Sequence, residues 1–212
     1  MKWLDRLERK MGNFYIPNLM KYLTLAMLGV FILEYLPLPQ SAWYLLYFDR
    51  ALILRGEIWR VFTFIFLPPT GSLIFILLSL YFYYFLGTSL ENHWGGARFN
   101  IYYGLGILGN IVAGFLTGAA TNSYLNTSLL LAFAVLYPDM EFMLFFFLPV
   151  KVRWIGWAWG LYLIYQLIVV AWPYKVALVF SFLPFILFFG KTAWLQLRMD
   201  GRRLLRWINM RR

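Results

Sequence analysis

The 212-residue sequence has no cysteine, one histidine and few charges, with 13% Asp, Glu, Lys and Arg against the roughly 25% of an ordinary soluble domain. Without cysteine there can be no disulfide, no thiolate nucleophile and no thiolate metal centre. With His93 as the single histidine, a multi-histidine metal site is excluded, and no cofactor is expected. The shortage of charge removes a third class, the soluble globular domain.

What is present in excess is apolar and aromatic: 62% hydrophobic and 22% Phe, Trp and Tyr. These residues gather in long segments nearly free of charge, the mark of membrane-crossing helices. The pattern predicts an all-α integral membrane protein, a bundle of six transmembrane helices at about 20–36, 72–87, 99–120, 122–137, 152–172 and 176–190. Around this 20–190 domain lie an amphipathic N-terminal segment, 1–19, and a basic amphipathic tail, 191–212.

The net charge of +10 would suggest nucleic acid in a soluble protein. Here the cations flank hydrophobic spans, so the expected partner is the bilayer with its anionic headgroups, not nucleic acid. With six spans, fifteen of the nineteen Lys and Arg fall on the side of the two termini: Lys2, Arg6, Arg9, Lys10, Lys21, Arg98, Lys151, Arg153 and seven in the tail. The other side holds Arg50, Arg55, Arg60 and Lys175. The positive-inside rule then puts both termini in the cytoplasm, and a prokaryotic plasma membrane is the expected location.

Between the first two spans, 37–71 is too aromatic for a solvated loop and reads as short, partly embedded helices. Within it, Trp59-Arg60 has the composition of an interface anchor, an indole among headgroups beside a guanidinium seeking phosphate or carbonyl partners. The loop 88–98 carries Glu91, His93, Gly95 and Arg98, with Glu91 and Arg98 expected either to pair or to cap backbone. In the third span Gly114 and Gly118 form a small-xxx-small pair that predicts close helix approach. The fourth opens on Asn122, Ser123, Asn126, Thr127 and Ser128, which serve either interhelical hydrogen bonds or a polar cavity facing a client. Residues 141–150 read as a short apolar turn, and Pro173 as the break before the sixth span.

Three landmarks resemble the rhomboid superfamily in order and spacing: Trp59-Arg60; Gly87, Glu91, Gly95 and Phe99; and Phe-Phe-Phe-Leu-Pro-Val-Lys at 145–151. The resemblance covers roughly 20–190 and implies a rhomboid-type fold, with a serine nucleophile on the fourth helix and a histidine base on the sixth. Counting back from Pro138 places Ser123 at the nucleophile position of the family's Gly-x-Ser-Gly stretch, with Thr121 and Tyr124 where the family has glycines and Asn122 between. The second helix has Phe75 and Ser79 where the family has His and Asn, and 176–190 contains no His, Asp, Glu or Lys. The similarity is thus to the pseudoprotease branch, the derlins among them, and implies binding of transmembrane clients without cleavage. Two alternatives stand: a serine protease using Ser123 with an atypical base, and a small-solute channel or transporter.

Overall fold

The computed structural model describes residues 2–12, 14–37, 40–69, 72–144 and 148–190; the basic tail lies outside them. Its helices are α1 (Lys2–Met11), α2 (Leu19–Glu34), the short α3 (Ala42–Leu46), α4 (Arg50–Leu54) and α5 (Arg60–Thr63), then α6 (Leu73–Trp94), α7 (Gly96–Thr117), α8 (Ser123–Leu136), α9 (Val152–Val169) and α10 (Trp172–Gly190). Three are long and apolar enough to cross a membrane: α6, α7 and α10. The chain is a mostly helical membrane protein. Helix α2 has 16 residues and α8 has 14, short of the roughly 20 that span a hydrocarbon core. Helix α9 has 18, diluted by Trp154, Trp157, Trp159, Tyr162, Tyr165 and Gln166.

Strand pairing, absent from the all-α expectation, occurs twice. Strand β1 (Phe48–Asp49) pairs antiparallel with β2 (Ala119–Ala120), and β3 (Glu141–Leu144) with β4 (Leu148–Lys151). The second pair replaces the turn expected at 141–150. Its Phe142 packs against Phe82 and Phe85 in the middle of α6 and against Phe133 in the last turn of α8.

Helix α6 is the hub, packed on α2, α7 and α8, while α9 lies against α8. Small residues set the approaches. A Cβ on Gly87 would run into Met20 of α2, and one on Gly156 would sit 2.7 Å from Ala134 of α8. The close contact of α7 with α10 is at Gly109, where a Cβ would lie 2.5 Å from the Phe180 carbonyl oxygen. The expected Gly114–Gly118 pair serves otherwise. Gly114 leaves room for the Phe48 ring, 2.6 Å from its notional Cβ, and Gly118, at φ 100°, caps α7 in the left-handed conformation.

The expected 88–98 loop is helix through Trp94. Only Gly95 departs from helical geometry, at φ 87°, before α7 starts at Gly96. The third helix therefore runs 96–117 rather than 99–120. Likewise α10 starts at Trp172, with Pro173 in the first turn, where its missing N–H costs nothing.

Segment 40–69 forms a folded cap at one end of the bundle, here the loop end. Asp49 is the N-cap of α4: its Oδ1 accepts from the N–H groups of Ala51 (2.7 Å) and Leu52 (3.1 Å). The Leu52 N–H beside it, helped by that of Ala51, holds the carboxyl below its usual range. Because the native pKa is lowered, the unfolded chain takes up the proton first. The stabilisation is complete above about pH 4 and is lost as pH falls through the native pKa. Asp49→Asn, an equally good N-cap, is expected to leave thermal stability near neutral pH almost unchanged while flattening its decline in acid. Parallel acid melts of the two proteins check this.

Candidate functional site

At the loop end, Trp59 and Arg60 resolve a backbone problem. Helix α3 is so short that almost all its carbonyls lack intrahelical partners. The Tyr47 N–H closes on the Trp43 carbonyl, and the next four oxygens take donors from α5 and from Trp59 just before it. Arg60 Nη1 donates to the carbonyls of Tyr44 (2.5 Å) and Tyr47 (3.1 Å), Trp59 Nε1 to Leu45 (3.2 Å), and Thr63 Oγ1 to Leu46 (3.0 Å). The guanidinium is 0% exposed, lies 5.5 and 5.0 Å from the Tyr44 and Tyr47 ring centroids, and donates through Nε to Glu57 Oε2 at 2.7 Å. Nη2 is also 2.7 Å from that oxygen but off the hydrogen-bonding direction, so its contact is ionic. The expected interface anchor is thus divided. Trp59 is half exposed, whereas Arg60 is buried against carbonyls and has no access to phosphate.

The polar start of α8 diverges. Asn122 is buried and donates through Nδ2 to the carbonyls of Ile65 (2.9 Å) and Leu67 (2.8 Å), fastening the end of the cap to the bundle. Four residues on, on the same face, Asn126 is buried with its Oδ1 3.4 Å from the Tyr103 hydroxyl of α7. Ser128 accepts from the Tyr102 hydroxyl at 3.0 Å. Thr127 donates back to the Ser123 carbonyl. Interhelical bonding to α7 therefore holds for Asn126 and Ser128, and Asn122 turns to the cap instead.

Ser123 points elsewhere. It is exposed, and its Oγ lies 3.1 Å from Thr121 Oγ1. A second hydroxyl is no more basic than the first, so this contact cannot draw a proton from Ser123. The next side chain, Tyr124, packs against Leu163 of α9 and Leu178 and Phe182 of α10, filling the space where those helices meet α8.

The facing part of α10 carries Ser181, whose Oγ lies 2.9 Å from Asn110 Oδ1 of α7 and 2.7 Å from the Ala177 carbonyl, its single hydrogen shared between them. Asn110 Nδ2 donates to the Gly106 carbonyl. Both side chains are fully buried. Sequence reasoning missed this pair. The available signal was a lone Asn beside glycines and a lone Ser, each in an otherwise apolar helix.

At the opposite end the expected Glu91–Arg98 ion pair is not formed. Glu91 Oε1 accepts the Asn18 N–H at 2.7 Å and so caps the start of α2, the backbone-cap alternative. Arg98 reaches α1, with Nε 2.7 Å from Glu8 Oε2 and Nη2 3.4 Å from Asp5 Oδ1. Gly95 makes the turn that separates the two residues. His93 is exposed in the last turn of α6, its ring 5.7 Å from that of Tyr137 and at the far end of the bundle from Ser123.

Searches against protein-family models and against curated proteins gave no match to this chain.

Proposed function

We propose that the protein is a rhomboid-like, six-span membrane protein that recognises transmembrane segments of other proteins without cutting them, with both termini in the cytoplasm. The observation that carries this reading is the surroundings of Ser123. At the position of the family's nucleophile stands an exposed serine whose hydroxyl meets only another hydroxyl, while Tyr124 occupies the adjoining space between α8, α9 and α10. Acyl transfer needs a base within hydrogen-bond reach and donors aimed at the developing oxyanion. The one histidine is at the other end of the molecule.

The six spans of this reading are α2 and α6 to α10. At 1.5 Å per residue, α2 and α8 reach only about 24 and 21 Å, against a hydrocarbon core of about 30 Å. A bundle with such short members thins the bilayer around it, which lowers the cost for a client helix carrying polar residues to lie alongside. The cap of 40–69, tied down by Arg60 and Asn122, keeps the loop end in shape without any catalytic demand.

The test is cleavage of a rhomboid substrate by purified protein, wild type against Ser123→Ala. Neither is expected to release product above background. Their thermal stabilities are expected to agree within about 0.5 kcal/mol, since an exposed hydroxyl is removed. Product formed by the wild type and lost in the variant would overturn the reading.

A further inference from the structure

We propose that α1 and the turn following it form a surface that binds anionic lipid headgroups, and that Arg98 makes it so by sorting the charges of α1. In sequence α1 is mixed, with Lys2, Arg6, Arg9 and Lys10 against Asp5 and Glu8. Helical spacing puts Arg6, Arg9 and Lys10, at i, i+3 and i+4, on one face, and Asp5 and Glu8, at i and i+3, on another. The structure turns the acidic face inward onto Arg98, with Glu8 at 2.7 Å and Asp5 at 3.4 Å, and buries Leu4 beside them. Arg6, Arg9 and Lys10 are left exposed. A helix with four cations and two acids thereby presents Arg6, Arg9 and Lys10 outward, while Asp5 and Glu8, 45% and 35% exposed, are engaged by Arg98.

The apolar groups beside these cations are held outward as well. Phe14 is 93% exposed and Ile16 52%. This is not a loose strand. The Phe14 N–H donates to the Met11 carbonyl at 2.7 Å, the Ile16 N–H to Asn100 Oδ1 at 3.0 Å, and Asn100 Nδ2 to the Ile16 carbonyl at 2.9 Å. Backbone fixed at both residues leaves Phe14 and Ile16 standing out of the surface, in a segment flanked in the chain by the exposed Lys10 and Lys21. Cations alone would suit water or an acidic protein. Cations with rigidly displayed Phe and Ile, at the end of a membrane bundle, suit a bilayer surface whose phosphates meet the cations while the apolar side chains enter below them. The inference is independent of client binding.

Because the chain has no cysteine, Leu7→Cys gives one labelling site on the exposed flank of α1. The full chain, carrying an environment-sensitive dye there, is reconstituted in nanodiscs of phosphatidylcholine alone or with phosphatidylglycerol. The expected result is a blue-shifted emission and a several-fold fall in quenching by an aqueous quencher when phosphatidylglycerol is present, reversed by salt. Arg6→Gln/Arg9→Gln/Lys10→Gln, all on exposed positions, is expected to abolish the lipid difference with thermal stability unchanged. Equal quenching in the two lipids, or a lipid difference that survives the triple substitution, would overturn the proposal. So would shielding of the dye in native membranes but in neither nanodisc, which would assign the face to a protein.

Discussion

Arg60→Ala is expected to lower the stability of the protein by about 3–5 kcal/mol, the cost of breaking a buried ion pair, and to lower Tm by about 10 °C. The substitution leaves the carbonyls of Tyr44 and Tyr47 without donors and removes the cation from between two tyrosine rings. Glu57 is about a third exposed, at 32% of its side chain, and can turn to water, which puts the expected loss toward the lower end. Lysine cannot substitute, because one ammonium cannot serve two carbonyls and a carboxylate in the geometry of a planar fork. Trp59→Phe, which forfeits only the bond to the Leu45 carbonyl, should cost about 1 kcal/mol. Melts of the three variants in one detergent check the order. An Arg60→Ala protein as stable as wild type would show that the cap does not depend on the buried guanidinium.

Gly109→Val is the second large effect, expected at about 3 kcal/mol. The obstacle is the Phe180 carbonyl oxygen, 2.5 Å from where the Cβ would stand, and a backbone atom cannot swing away as a side chain can. Helices α7 and α10 must part, at an overpacking cost of about 1–3 kcal/mol. The adjacent Asn110–Ser181 bond goes with them, worth about 1 kcal/mol in a membrane interior. Gly104→Ala on the same helix is the control. Nothing lies within 4 Å of its Cβ, so the change is expected to be neutral or to gain up to about 1 kcal/mol of helix propensity. An equal loss at both glycines would mean that α7 is sensitive along its whole length rather than at the α10 contact.

Helix positions were legible because long apolar runs have few alternatives, so the helical membrane class and the cores of α2, α6, α7, α8 and α10 follow from the sequence. Partners across chain distance were not. Arg98 and Glu91 sit seven residues apart and invited pairing, yet their partners are Glu8 and Asn18, brought in by a segment that local spacing cannot place. Arg60 was legible only in part. Its Trp-Arg context pointed to phosphate or carbonyl partners, and the carbonyls it takes lie 13 and 16 residues earlier, where nothing in the sequence marks them, since every residue type carries one. The hairpin at 141–151 was hidden because a short apolar run reads equally as strand, turn or buried helix. At the candidate site, the exposure of Ser123 and the split duties of Asn122 and Asn126 depend on where the cap and α7 lie, which the polar cluster at the start of α8 does not disclose.

The most direct measurement of the central claim places a photoreactive residue at position 123, exposed at the loop end, and irradiates the full chain in its native membranes. The account predicts covalent adducts with intact membrane proteins, identified by mass spectrometry through peptides from their transmembrane segments. Adducts with lipid alone, or with fragments cut within a transmembrane segment, would contradict it.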